Sequence, residues 1–133
     1  MKRWCLVLVL LMAIGVTPAF SAEVVQMWYC EMDDDASEQW VRDHVSEWLK
    51  AARQMEGGKK FEANVLFPVA VNAMNEFDLI LVFTAPSFEE WGKFWDGYGG
   101  SPAADVETKD DEMLNCPDSA LWEQFEVTAS GTN

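Results

Sequence analysis

Between residues 23 and 129 the hydrophobic period changes in a fixed order. It runs two, 3.6, two, two, 3.6, two. A period of two is a strand with distinct faces, and 3.6 is a helix with one apolar stripe. Val24 to Met32 is the first strand. Val25, Met27 and Tyr29 share one face, and Val24, Trp28, Cys30 and Met32 share the other. Asp33-Asp34-Asp35 ends it, since strands disfavour aspartate. Asp35, with Glu38 three residues on, has the spacing of a capping box. Val41, Val45, Trp48, Ala52 and Met55 then recur as one helical face, and Gly57-Gly58 stops it.

Phe61 to Asn72 alternates, with Phe61, Ala63, Val65, Phe67, Val69 and Val71 on one side and Pro68 marking an edge strand. Ala73 to Glu76 connects it to a third strand, Phe77 to Ala85, which is apolar on both faces. A strand of that kind is covered on both sides. Ser87 and Glu90 give a second capping box, opening a helix with the stripe Phe88, Trp91, Trp95 and Tyr98. An acidic helical segment, Ala103 to Leu114, follows, and Asn115-Cys116-Pro117 ends it. Ser119 to Trp122 reads as a further turn and Gln124 to Ala129 as the last strand, with Phe125 and Val127 inward. Residues 130–133 read as a frayed tail.

This order is the split-βαβ, ferredoxin-like arrangement, an α+β fold. Short connections and right-handed crossovers favour a four-stranded antiparallel sheet in the order 4-1-3-2, with both helices on one face. The doubly apolar third strand then leaves a second face to be covered, and pairing with another copy through that face would do so.

On these grounds residues 23–129 resemble the dimeric α/β-barrel superfamily, though no catalytic motif carries the likeness. That superfamily includes cofactor-free monooxygenases, isomerases, haem enzymes and small stress-responsive proteins. The resemblance implies a homodimer and a cavity between sheet and helices, and no one activity. The acidic insert at 99–116 departs from its most compact members.

The N-terminus bears on where the chain works. Lys2 and Arg3 precede an apolar run from Trp4 to Val16. Thr17-Pro18 breaks the run, and Ala19-Phe20-Ser21-Ala22 offers small residues for cleavage. This is the layout of a secretory signal peptide, residues 1–22, cleaved after Ser21 or Ala22. The run is too short for a membrane anchor, which needs about 20 apolar residues. The expected location is the periplasm or outside the cell. About 110 residues would remain, enough for one domain.

Cleavage removes two of the nine basic residues and none of the 23 acidic ones, taking the formal charge from −14 to −16. Such a charge argues against nucleic acid, whose affinity comes from Lys and Arg on phosphates, and against anionic membranes. Cys5 leaves with the signal, so Cys30 and Cys116 remain. They are too far apart for a CxxC motif, and an oxidising compartment favours their pairing. The topology brings both to one end of the sheet: the first strand ends at Cys30, and Cys116 lies just before the last strand begins.

Few residues carry chemistry. His44 is the sole histidine, four residues from both Trp40 and Trp48, and is the one candidate general base. No serine stands in a nucleophile-elbow context. Asp33, Asp35 and Ser37 begin like an EF-hand, but Glu38 and His44 occupy the positions that need glycine and glutamate. No metal site and no cofactor are expected. Gly97-Tyr98-Gly99-Gly100 has no preceding strand and no basic residue, so it is not a phosphate loop. Tryptophans dominate the rest, and Trp40, Trp48, Trp91 and Trp95 are candidates to line a pocket for a small hydrophobic ligand. Asn64 and Tyr29 could add polar groups to a sheet cavity. The expected function is an exported, dimeric binding or structural module. The alternative is a cofactor-independent monooxygenase- or isomerase-like enzyme of the α/β-barrel type.

Overall fold

The computed structural model describes residues 22–70, 77–109 and 111–127. The signal segment before Ala22, the connection Ala73–Glu76, Asp110 and the tail from 128 lie outside the described residues.

The strands are β1 (Glu23–Met32), β2 (Glu62–Leu66), β3 (Leu79–Ala85) and β4 (Leu114–Gln124). The helices are α1 (Glu38–Ala52), α2 (Phe88–Asp96) and α3 (Pro102–Lys109). The sheet order is β2-β3-β1-β4 and every pairing is antiparallel. This is the 4-1-3-2 order read from the other edge, and the helices pack on one face.

The register divides the faces. Val24 pairs with Ala85, Gln26 with Phe83, Trp28 with Leu81 and Cys30 with Leu79, all toward the helices. Val25, Met27 and Tyr29 pair with Thr84, Val82 and Ile80 on the outer face. The core under the helices has two centres. One joins Val24, Trp48, Ala52, Phe61, Ala85, Phe94 and Ala103. The other joins Cys30, Val41, Val45, Leu79 and Leu81. Val41, Val45, Trp48 and Ala52 are thus the buried stripe of α1, as their spacing predicts.

Several boundaries differ from the sequence pattern. Ser37 caps α1 in place of Asp35. Its hydroxyl accepts the Trp40 N–H at 3.1 Å, while the Asp33 carboxylate accepts the Asp35 N–H at 3.0 Å in the turn before. Aspartate here folds the turn back on itself, a competing local bond that leaves the cap to serine. Ser87 caps α2 as expected, accepting the Glu90 N–H at 3.2 Å. The α2 stripe centres on Phe94, which is fully buried, while Phe88 is exposed. Residues 91, 94, 95 and 98 are the true i, i+3, i+4, i+7 set.

Gly57 and Gly58 lie beyond the end of α1, which stops at Ala52. A Cβ at Gly57, where φ is +82°, would meet the Glu90 carbonyl oxygen at 2.2 Å. The glycine pair is therefore a joint that lets the backbone after α1 approach α2 closely, more than a helix stop. β2 is an edge strand but ends at Leu66, so Pro68 stands just past it.

The largest correction is at the C-terminus. Residues 114–124 form a strand along the whole of β1, where the sequence suggests a helix end and a turn. Gln124–Ala129 is not the last strand as far as it is described: Phe125 and Val127 are 67% and 90% exposed, so neither points inward. Ala-Leu-Trp-Glu-Gln has good helix propensity, and pairing with β1 overrides it. Pro117 is tolerated because β4 is an edge strand and because the register shifts between Tyr29 and Glu31. At that shift Cys30 Sγ is bonded to Cys116 Sγ across 86 positions of sequence. Cys116 thus lies inside the strand, and the bridge joins two neighbouring strands.

Candidate functional site

Between the helix layer and the sheet lies a cavity of about 410 Å³. Its floor is Trp28 from β1 with Leu81 and Phe83 from β3. One wall is His44, Val45 and Trp48, successive faces of α1. Trp95 and Tyr98, from the end of α2 and the turn after it, form the opposite wall. Glu107 of α3 and Asp111 stand at the rim, and the start of β4 closes the side with Leu114, Asn115 and Cys116.

The aromatic walls brace one another. Trp28 and Trp95 have ring centroids 6.1 Å apart, Trp48 and Phe83 4.4 Å, and Trp95 and Tyr98 4.6 Å. A polar chain crosses the rim: Trp48 Nε1–H donates to the Tyr98 hydroxyl at 3.0 Å, and that hydroxyl donates in turn to a Glu107 carboxylate oxygen. Burial, with the neighbouring Glu107 carboxylate, holds the Tyr98 hydroxyl far above the usual phenol range. The phenol therefore stays protonated and keeps Glu107 in place.

A raised folded-state value means that the native state retains a proton that the unfolded chain gives up near pH 10. This contribution to stability is complete below pH 10 and is lost as pH climbs toward the folded value. Wild-type protein should lose stability above pH 10, and Tyr98→Phe should lose less. Urea titrations of both between pH 8 and pH 11 check this. Parallel curves would refute it.

Two further indole groups line the cavity. Trp28 Nε1 and Trp95 Nε1 are buried and have no hydrogen-bond partner in the protein. By contrast, Trp91 Nε1 donates to Gln26 Oε1 at 3.0 Å.

Of the residues singled out in the sequence, Trp48, Trp95 and His44 come together in the cavity. Trp91 lies outside it, tied to Gln26. Trp40 lies outside as well, stacked on His44 at 4.8 Å. Asn64 and Tyr29 sit on the outer face, paired with Val82 and Ile80. Trp28, Phe83 and Glu107 were not legible as pocket residues. The 91, 94, 95, 98 spacing was the available signal for Tyr98. Among the described residues, no group of three or more His, Cys, Asp or Glu is disposed to hold a metal ion. No described helix is long and apolar enough to cross a membrane.

A four-stranded antiparallel sheet in this order, with helices packed on one face, is the ferredoxin-like fold. Solved structures agree. The Arabidopsis thaliana protein At3g17210 is similar at 13% identity and a TM-score of 0.53, covering 82% of this chain and 98% of that one. The hydroxynitrile lyase of Passiflora edulis is similar at 13% identity and a TM-score of 0.52, covering 81% and 98%. A chlorite dismutase-like protein is similar at 7% identity and a TM-score of 0.51, and the match spans only 46% of its length. Identities this low carry the fold alone. No protein-family model and no curated protein matches the chain.

Proposed function

We propose that the chain is an exported binding protein whose ligand occupies the aromatic cavity, and that it works as a homodimer. The observation that carries the binding reading is the cavity itself: about 410 Å³ walled by Trp28, Trp48, Phe83, Trp95 and Tyr98, whose rings offer flat apolar surface to a ligand. Trp95→Ala removes one wall of the cavity. Titration of the mature protein with flat heteroaromatic compounds should quench its tryptophan fluorescence, and Trp95→Ala at unchanged folding should weaken binding about fivefold or more. Absence of quenching and of any rise in Tm across the set would overturn the reading.

The dimer reading rests on the outer face. Met27, Ile80 and Val82 line it, with Leu66 and Trp122 48% and 54% exposed. An apolar face of that kind marks association. Light scattering should give twice the chain mass, and Val82→Glu should give a monomer. A wild-type monomer at micromolar concentration contradicts it. Export predicts a mature N-terminus at Ala22 or Glu23 by mass spectrometry, and the Cys30–Cys116 bridge is consistent with an oxidising compartment.

One observation favours a second reading, a cofactor-independent enzyme: His44, the sole histidine, lines the cavity. Turnover that His44→Ala abolishes at unchanged folding would replace the first reading with this one.

A further inference from the structure

We propose that the cavity binds a small organic cation, of the amino-alcohol or quaternary-ammonium class. The inference rests on the binding reading above and adds the charge of the ligand to it.

Three observations converge. Five aromatic side chains line the cavity: Trp28, Trp48, Phe83, Trp95 and Tyr98. The faces of such rings carry negative charge density and attract cations, most strongly when water is excluded. The rim then supplies carboxylates. Glu107 and Asp111 both line the cavity, and neither a lysine nor an arginine lines it among the described residues. The Tyr98 hydroxyl donates a hydrogen bond to Glu107 and so fixes that carboxylate where it borders the cavity. The third observation is the field of the whole chain. A formal charge of −14 concentrates cations around the protein and repels anions.

A carboxylate ligand would bring a like charge to a cavity bordered by Glu107 and Asp111. At about 410 Å³ the cavity has room for a small organic cation.

Calorimetric titration of the mature protein with choline tests this, against 3,3-dimethylbutan-1-ol, which has the same shape and hydroxyl without the charge. Choline should bind about tenfold or more tightly than the neutral isostere. Glu107→Gln leaves an oxygen for Tyr98 to donate to. It should weaken choline several-fold and leave the isostere unchanged. Equal binding of the two compounds, or an equal loss of both in Glu107→Gln, overturns the cation assignment while the cavity stands as a binding site. If choline, the isostere and indole all fail to bind, the binding reading itself falls.

Discussion

Phe94→Ala will cost about 3–5 kcal/mol of stability, the range for emptying a large aromatic site in a core. Phe94 is fully buried, and its ring is 4.6 Å from Phe61, 5.1 Å from Trp95, 5.4 Å from Tyr98 and 5.7 Å from Trp48. Among the described side chains only Trp95 also meets four rings, and it is not fully buried as Phe94 is. The site cannot collapse easily, because its neighbours are planar and held by partners elsewhere, Trp48 by its bond to Tyr98 above all. Domains of this size are stable by only about 5–15 kcal/mol, so the loss is a large fraction of the total. Because Trp48, Trp95 and Tyr98 also line the cavity, the same change should blunt the near-UV circular dichroism of the indoles. Phe94→Leu, which refills part of the space, should recover much of both. Urea midpoints for the three proteins decide it. A cost below about 1 kcal/mol for the alanine variant would show that the ring cluster is not the structural centre.

Cys116→Ala should cost about 2–5 kcal/mol, the range for native bridges in small domains. The bond spans 86 positions, and in the chain-entropy model a closure that long contributes about 4–5 kcal/mol by restricting the unfolded chain. Cys30 is left as a buried thiol, which packs as a small apolar group, so the variant isolates the bond from the core. Reductant should lower the Tm of the wild type and leave that of the variant unchanged. A wild-type Tm that reductant does not move would show that the bond contributes nothing.

The fold is legible where pattern and burial coincide. The stripe Val41, Val45, Trp48 and Ala52 declares one helix, and the two-faced run ending at Ala85 declares a central strand. The order of periods then leaves few topologies. Legibility fails at β4, because an edge strand with little cover carries no strong alternation. Its identity comes from pairing with β1, a contact invisible in the local sequence. Ser37 replaces Asp35 as the cap because two residues with equal capping chemistry compete, and the backbone chooses. For the site, the abundance of tryptophan is legible and its partition is not. Trp91 and Trp95 share a helix face, yet one N–H meets Gln26 and the other has no partner. Which indole is satisfied depends on what β1 presents opposite each. Glu107 belongs to a run that reads as a solvated acidic helix, and only Tyr98 draws it to the cavity.

The register shift beside the bridge decides which way the end of β4 faces. Strand side chains alternate, so a slip of one residue exchanges the two sides of a strand. In β4 such a slip would trade Trp122, opposite Val25 on the outer face, for Leu121, opposite Gln26 on the helix side. Leu121 to Val127 are all exposed, so burial alone discriminates weakly between the two alignments. The Cys30–Cys116 bond anchors the strand on the Asn115 side of the shift, and the extra residue before Asp118 is what puts Trp122 on the outer face. The bond is a fixed point and the bulge sets the phase beyond it: with one residue fewer there, Trp122 would turn toward the helices.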